Sequence, residues 1–208
     1  MIRALLIDLD GVIRLWPADH GAEIERDHGL PAGTIAAAAF AAEILEPALT
    51  GAISDETWRD RIAKKIAGEH GPAAAAAVEA WSSLRGVVDQ EMLNLVREVR
   101  RVMTVVLVTN QTSRLAVDLQ ALGVTDAFDA VANSADVGFT KPRREMYDAA
   151  CKLAGVSPTE CVLVDDRAGN VDRARDLGMI AIQHVNAAGS RRALIACGVP
   201  VARESDLT

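Results

Sequence analysis

The chain has 208 residues, half of them hydrophobic, which is enough for a full apolar core without disulfide bonds. Its 22 basic and 29 acidic residues give a formal charge of −7 spread along the chain, which argues against broad binding to nucleic acid or to an anionic membrane. No apolar stretch approaches the roughly 20 residues that span a bilayer, and Met1 is followed so closely by a predicted strand that we expect no signal peptide. The three cysteines lack a metal-binding spacing, so we expect buried thiols in a reducing, cytoplasmic compartment.

The first predicted element is the short apolar run ALLI at residues 4–7, which is followed by two carboxylates, Asp8 and Asp10. A continuous apolar run of this length favours a strand that is buried on both faces. Two like charges at the end of such a strand are costly to desolvate unless a cation or shared protons compensate them. The run is therefore either an ordinary strand with a polar end or one side of a functional site.

Residues 16–85 contain helix-prone segments separated by Gly and Pro, which predicts a small helical bundle inserted after the first strand. We expect Trp58 and Trp81 to belong to the core of this bundle rather than to a substrate pocket. The expected core residues of the bundle are Phe40, Ile44, Leu45, Trp58, Ile62, Ile66 and Trp81.

This reading predicts two domains. Residues 1–15 and 86–208 form the main domain, and residues 16–85 form an inserted helical one. Arg14 and Trp16 lead from the first strand toward the hinge between them. A substrate contact by one of these two residues is a weaker hypothesis.

From about residue 90 to residue 185, apolar runs and helical patterns alternate. The four further runs are VMTVVLVTN (102–110), AFDAVANS (127–134), CVLVDD (161–166) and MIAIQHV (179–185). We expect one of the intervening helices to begin after an N-cap at Ser113 and to end at Gly123. This alternation predicts an α/β fold, a doubly wound, Rossmann-like parallel sheet with five core strands.

Polar side chains follow the predicted strands where each one ends. The carboxyl ends of parallel strands meet at one edge of the sheet, and ligands bind there. These polar residues are Asp8 and Asp10 after the first strand, Thr109 and Asn110 after the second, Lys141 after the third, and Asp165 and Asp166 after the fourth. The sequence therefore brings several carboxylates, a hydroxyl and an ammonium group to one place.

These groups suit phosphoryl transfer. One carboxylate can attack phosphorus to form an acyl phosphate, and a second carboxyl can exchange protons with the leaving alkoxide and with water. Mg²⁺, a hard cation with oxygen ligands, would neutralise the clustered carboxylates. The lysine and the hydroxyl would surround the transferring group.

Four motifs, DLDGV, VTN, KP and VLVDDRAGNV, in this order resemble those of the haloacid dehalogenase superfamily of aspartate-nucleophile phosphatases. The helical insertion occupies the position of that family's helical cap domain of the C1 type. The adjacent aspartates with Asn170 four residues on are similar to one subgroup. That subgroup contains the N-terminal phosphatase domain of mammalian soluble epoxide hydrolase and the bacterial glucose-1-phosphate phosphatases.

The resemblance implies a role for each motif residue. Asp8 would be the nucleophile and a metal ligand, and Asp10 the general acid and base, with its backbone carbonyl also meeting Mg²⁺. Asp166 is the preferred second carboxylate ligand, with Asp165 beside it, and which of the two binds the metal directly stays open. The groups implied to bind the phosphoryl oxygens are the backbone N–H groups around Leu9 and Gly11, together with Thr109, Asn110 and Lys141.

The expected function is Mg²⁺-dependent hydrolysis of a small phosphorylated metabolite, such as a sugar phosphate, through an aspartyl-phosphate intermediate. A phosphomutase would share every core residue, and a non-catalytic binding module of the same fold is a further alternative. A dehalogenase is less favoured. A halide leaves without a proton, and dehalogenases resembling this family lack the second aspartate of the first motif, here Asp10. The sequence carries no signal for a particular oligomeric state.

Overall fold

A computed structural model describes residues 1–17 and 21–202 of the chain. The strands of this part are β1 (Ala4–Ile7), β2 (Arg14–Leu15), β3 (Val87–Val88), β4 (Thr104–Thr109), β5 (Ala130–Asn133), β6 (Cys161–Asp165) and β7 (Ile180–Gln183). Its α-helices are α1 (Ala22–Asp27), α2 (Thr34–Ala39), α3 (Ala42–Leu49), α4 (Asp55–His70), α5 (Ala75–Ser82), α6 (Gln90–Arg100), α7 (Leu115–Leu122), α8 (Ser134–Val137), α9 (Arg144–Ala154), α10 (Ala168–Asp176) and α11 (Ala187–Ala196). Among these helices, none combines the length and the apolar character needed to cross a bilayer.

Five strands form one parallel sheet in the order β5-β4-β1-β6-β7, which confirms the predicted α/β fold. The central strand β1 is fully buried, because its side chains alternate between two apolar layers. Leu5 and Ile7 pack in the layer that contains α6 and α11, whereas Ala4 and Leu6 pack in the layer that contains α9 and α10. This two-sided burial explains why the strand is a continuous apolar run.

The helices between β2 and β3 have an apolar cluster of their own. Ile62 and Ile66 of α4 are fully buried there, as predicted. Phe40 is 56% exposed, so its predicted core position is wrong. The physical reason is that α2 ends at Ala39, which leaves Phe40 at the C-cap and off the buried face of the helix.

The insertion joins the main sheet through the short antiparallel pair of β2 and β3. These two strands lie where the chain leaves the main sheet and returns to it. The division into domains at residues 16 and 85 stays a prediction. The predicted ranges also include residues 18–20 and 203–208, which lie outside the described residues.

Two contacts hold the insertion against the carboxyl edge of the sheet. Asp55, in the first turn of α4, donates its backbone N–H to Ser113 Oγ at 3.0 Å and accepts a hydrogen bond from Thr112 Oγ1 at 2.7 Å. The prediction of Ser113 as the N-cap of α7 is therefore wrong, because the Ser113 hydroxyl accepts a hydrogen bond from an N–H group of α4 instead. The N-cap of α7 is Arg114. The second contact is at Gly51, where a Cβ atom would lie 2.1 Å from the carbonyl oxygen of Ala135.

Alanine at Gly51 should destabilise the protein more than alanine at Gly29. Both glycines have positive φ, of 73° and 68°, so each substitution carries the left-handed strain of about 1–2 kcal/mol. Only the Cβ at position 51 meets backbone, which should add about 1–3 kcal/mol through overpacking. Urea unfolding of Gly51→Ala and Gly29→Ala measures the difference in the free energy of unfolding. Equal losses would show that the contact with Ala135 is looser than described.

Candidate active site

The predicted site residues at the carboxyl edge are joined by a buried lysine. Lys141 Nζ lies 2.9 Å from Asp8 Oδ1 and 2.7 Å from Asp165 Oδ2. The exposed fractions of these side chains are 1% for Lys141, 9% for Asp8 and 0% for Asp165. Lys141 thus places one positive charge between two carboxylates, one that follows β1 and one that ends the adjacent strand β6.

Asp8 has the electrostatic environment of a functional carboxylate. Burial raises the pKa of Asp8 to about 6, and the nearby charge of Lys141 opposes that rise. The negative charge of Asp165 raises the pKa of Asp8 further. Strongly perturbed carboxylates in a cleft are typical of functional sites.

Asp165 is fully engaged within the protein. Its two carboxylate oxygens accept hydrogen bonds from Lys141 Nζ, from the backbone N–H of Arg167 at 2.9 Å, and from Asn170 Nδ2 at 2.9 and 3.1 Å. Asp165 therefore acts on the site by holding Lys141 in place. Asn170, which the sequence leaves without an assigned role, orients Asp165.

Asp166 has the opposite character. Its Oδ1 is buried without a hydrogen-bond partner in the described part of the chain, and burial raises the pKa of its carboxyl. Carboxylate oxygens of Asp8, Asp165 and Asp166 lie within 4.8 Å of one another. A buried oxygen without a donor fits a hard cation such as Mg²⁺, so these residues suit the predicted metal.

Gly11 provides the space in which Asp166 lies. A Cβ atom at Gly11 would come within 2.4 Å of Asp166 Oδ2, and its φ of 78° favours glycine. The predicted role of the backbone N–H groups around Leu9 and Gly11 as donors to a phosphoryl group stays a prediction. The Gly11 N–H donates to the carbonyl of Arg14, and the Leu9 N–H donates to Asp8 Oδ1. Both donors are used inside the tight turn after β1.

Asp10 lies outside the group of three carboxylates. Its oxygens accept hydrogen bonds from Arg14 Nε at 2.6 Å and Nη2 at 2.9 Å, from Trp16 Nε1 at 2.8 Å, and from Gln111 Nε2. Arg14 is buried, and its ion pair with Asp10 spans one turn of the chain. Sequence reasoning missed Gln111, although its place directly after the VTN motif is a signal that could have indicated it.

Thr109 and Asn110 both line the site. Thr109 is buried at the end of β4. The Asn110 side chain accepts a hydrogen bond from the Lys141 N–H at 2.7 Å and donates one to the Lys141 carbonyl at 3.0 Å. The side chain of Asn110 therefore fixes the backbone that carries the lysine, and its predicted phosphate contact stays a prediction.

A cavity of about 450 Å³ lies between the carboxyl edge and the insertion. Its volume is in the range of small-molecule sites. Trp58 and Trp81 line it, with ring centroids 5.8 Å apart, and Phe40 packs edge-on against Trp81. Trp58 belongs to the apolar cluster of the insertion and Trp81 packs against it, as predicted, and the bundle also packs both side chains against the cavity.

A family model described as haloacid dehalogenase-like hydrolase matches residues 2–178 of the chain. The chain belongs to this family. Over 78 residues it is 35% identical to a phosphoglycolate phosphatase of Chromobacterium violaceum, a match that covers 37% of this chain and 35% of that protein. Over 67 residues it is 36% identical to bifunctional epoxide hydrolase 2 of Mus musculus, covering 32% of this chain and 12% of that protein. The matches thus span little more than a third of these relatives at most.

Solved structures share the fold. A haloacid dehalogenase family enzyme from Bacteroides thetaiotaomicron, crystallised with magnesium and inorganic phosphate, superposes with a TM-score of 0.74 at 22% identity. The superposition covers 89% of this chain and 95% of that one. L-2-haloacid dehalogenase from Xanthobacter autotrophicus, with chloropropionic acid covalently bound, gives a TM-score of 0.64 at 18% identity and covers 96% and 84% of the two chains. At these identities the likeness concerns the fold alone.

Replacement of Lys141 by methionine should strongly destabilise the protein when Mg²⁺ is removed. The change leaves Asp8 and Asp165 buried without their shared cation, and breaking a buried pair costs about 3–5 kcal/mol. Urea unfolding in EDTA measures this loss, and the double variant Lys141→Met/Asp165→Asn should recover part of it.

Lys64 supplies a matched control for this prediction. It pairs with Asp60 at 2.6 Å, but the two side chains are 75% and 53% exposed, so Lys64→Met should change the free energy of unfolding by about 1 kcal/mol or less. A similar small loss for Lys141→Met would contradict the role of Lys141 as a buried counterion.

Proposed function

We propose that the protein is a Mg²⁺-dependent phosphatase that hydrolyses a small phosphorylated metabolite through an aspartyl-phosphate intermediate. The observation that carries this proposal is the buried, lysine-paired Asp8 in one cavity with Asp166, whose Oδ1 has no hydrogen-bond partner among the described residues. The phosphoglycolate phosphatase relative and the magnesium-phosphate complex of a family member support it.

In the first proposed step, an oxygen of Asp8 attacks phosphorus and the bond from phosphorus to the leaving alkoxide breaks. Asp10 gives a proton to that alkoxide. In the second step, Asp10 takes a proton from water, the water oxygen attacks phosphorus, and the bond to Asp8 breaks, which regenerates the carboxylate. Lys141 provides positive charge beside the oxygens on which negative charge develops.

Mg²⁺, when bound, would neutralise the carboxylates and the phosphoryl oxygens. Asp8 and Asp166 are the side chains proposed to hold it, since the carboxylate of Asp165 is used by Lys141 and Asn170. Arg14 and Gln111 fix the carboxylate of Asp10. A group that exchanges protons with an alkoxide favours phosphate chemistry over loss of a halide, which needs no proton.

Asp8→Asn should abolish phosphate release, because an amide oxygen cannot serve as the nucleophile. The measurement is phosphate release from p-nitrophenyl phosphate and a panel of sugar phosphates, with Mg²⁺ and with EDTA. We expect a loss of at least about 1,000-fold, as is typical when a covalent nucleophile is removed. Asp136→Asn, at an exposed position of α8, should leave turnover unchanged. Substantial turnover by Asp8→Asn, or by the wild type in EDTA, would contradict the proposal.

Gly11→Ala should weaken Mg²⁺ binding, since the new methyl group would displace Asp166. Gly138→Ala is the matched control, because its φ of 84° carries the same backbone strain and no atom lies within 4 Å of the added Cβ. Calorimetric titration with Mg²⁺ compares the two folded variants. If both bind Mg²⁺ with the wild-type affinity, Asp166 is not a ligand at this site.

A further inference from the structure

One wall of the cavity contains more positive than negative side chains. We call this set the arginine wall. Its members are Arg14 of β2, Arg59 of α4, Arg85 before β3, and Arg114 at the start of α7, together with Asp10, Asp55 and Asp118, and all seven line the cavity. Four guanidinium groups thus face three carboxylates, which leaves a formal excess of one positive charge.

Asp118 serves three of these arginines at once. Its carboxylate lies 3.0 Å from Arg114 Nε, 3.6 Å from Arg14 Nη1 and 3.9 Å from Arg85 Nε. Arg14 also binds both oxygens of Asp10, so only part of its charge is available to Asp118. The carboxylates of the arginine wall therefore do not balance the charge of its arginines.

Arg59 has a similar deficit. Its Nε lies 2.7 Å from Asp55 Oδ2, but Asp55 is already tied to Thr112 across the boundary with the sheet. Burial lowers the pKa of Arg59, and the charge of Arg114 lowers it further, against the opposing effect of Asp55. Arg59 and Arg114 therefore repel each other inside a partly buried cavity.

The outer nitrogens of Arg59 and Arg114 are the donors that the described part of the chain does not use. Within the described residues, the Nη atoms of neither arginine take part in a hydrogen bond, whereas Arg85 Nη1 donates to the carbonyls of Ser82 and Leu84. Guanidinium N–H pairs match the two oxygens of a carboxylate or a phosphate in geometry. Unused guanidinium donors and an excess of positive charge in a cavity favour the binding of an anion.

We propose that the substrate carries, besides the phosphoryl group that is transferred, a second anionic group that binds Arg59 and Arg114. This inference rests on the proposed phosphatase function and narrows its substrates to small phosphomonoesters with a second carboxylate or phosphate. The link from Asp10 through Arg14 to Asp118 and Arg114 places the arginine wall beside the group that exchanges protons. Trp58 lies beside Arg59 in the cavity lining, where apolar surface reduces the screening of the charges by water.

The test uses three compounds with the same three-carbon skeleton. Glycerol 3-phosphate has one phosphoryl group, 3-phosphoglycerate adds a carboxylate, and glycerol 1,3-bisphosphate adds a second phosphate. With wild type and Mg²⁺, we expect kcat/KM to be at least about 10-fold higher for one of the two doubly charged compounds, the usual effect of a charge-assisted hydrogen bond. The preferred member of that pair distinguishes carboxylate from phosphate.

Four variants locate the effect. Arg114→Gln and Arg59→Gln should each lower kcat/KM at least about 10-fold more for the preferred compound than for glycerol 3-phosphate. Arg114→Lys should retain part of the preference because it keeps the charge. Arg3→Gln is the control, since Arg3 is exposed before the amino end of β1, at the opposite edge of the sheet.

Binding to the Asp8→Asn variant separates the two proposals. Calorimetry should give tighter binding of the preferred doubly charged compound than of glycerol 3-phosphate. Equal affinity and equal turnover for all three compounds would overturn the second anionic site while the phosphatase function stands. So would equal losses on all three compounds in Arg114→Gln and Arg59→Gln. No turnover of any compound or of p-nitrophenyl phosphate by folded wild type with Mg²⁺ would overturn the phosphatase function and, with it, this restriction on its substrates.

Discussion

The burial of Lys141 between Asp8 and Asp165 is the interaction on which the site depends. Burial of any one of these ions alone would cost several kcal/mol of hydration free energy. Removal of one partner from a buried ion pair destabilises a protein by about 3–5 kcal/mol. The three are buried together, with Lys141 Nζ 2.9 Å from Asp8 Oδ1 and 2.7 Å from Asp165 Oδ2. Because Asp8 follows β1 and Asp165 ends β6, the lysine also ties two adjacent strand ends to the loop after β5.

The residues around this triad serve mainly to hold it. Asn110 binds both the N–H and the carbonyl of Lys141, and Asn170 binds both oxygens of Asp165. Asn110, directly after β4, and Asn170, in α10, therefore position residues of neighbouring segments. The insertion forms the side of the cavity opposite the sheet edge. Asp55 joins α4 to Thr112 and Ser113, and this contact places Trp58 and Arg59 of the same helix at the cavity.

The fold was predictable because strands buried on both faces are continuous apolar runs, as in β1 and β4. The convergence of Asp8, Lys141 and Asp165 was predictable for a related reason, since parallel topology brings the carboxyl ends of strands to one edge. The partners of these residues were not predictable. Gln111 binds Asp10 across 101 residues of sequence, and Ser113 meets Asp55 across 58. Such pairs depend on how the insertion and the loops pack, and no local pattern records that.

The adjacent aspartates Asp165 and Asp166 belong to one sequence motif, but only the three-dimensional structure distinguishes their surroundings. Consecutive residues at the end of a strand project in different directions. Asp165 accepts hydrogen bonds from Lys141, Arg167 and Asn170, whereas Asp166 lies against Gly11 with one oxygen unpartnered among the described residues. Two identical side chains thus have different chemistry, because one is saturated with donors and the other is open to a cation. The two aspartates therefore differ in role: Asp165 holds the lysine, and Asp166 is the proposed metal ligand.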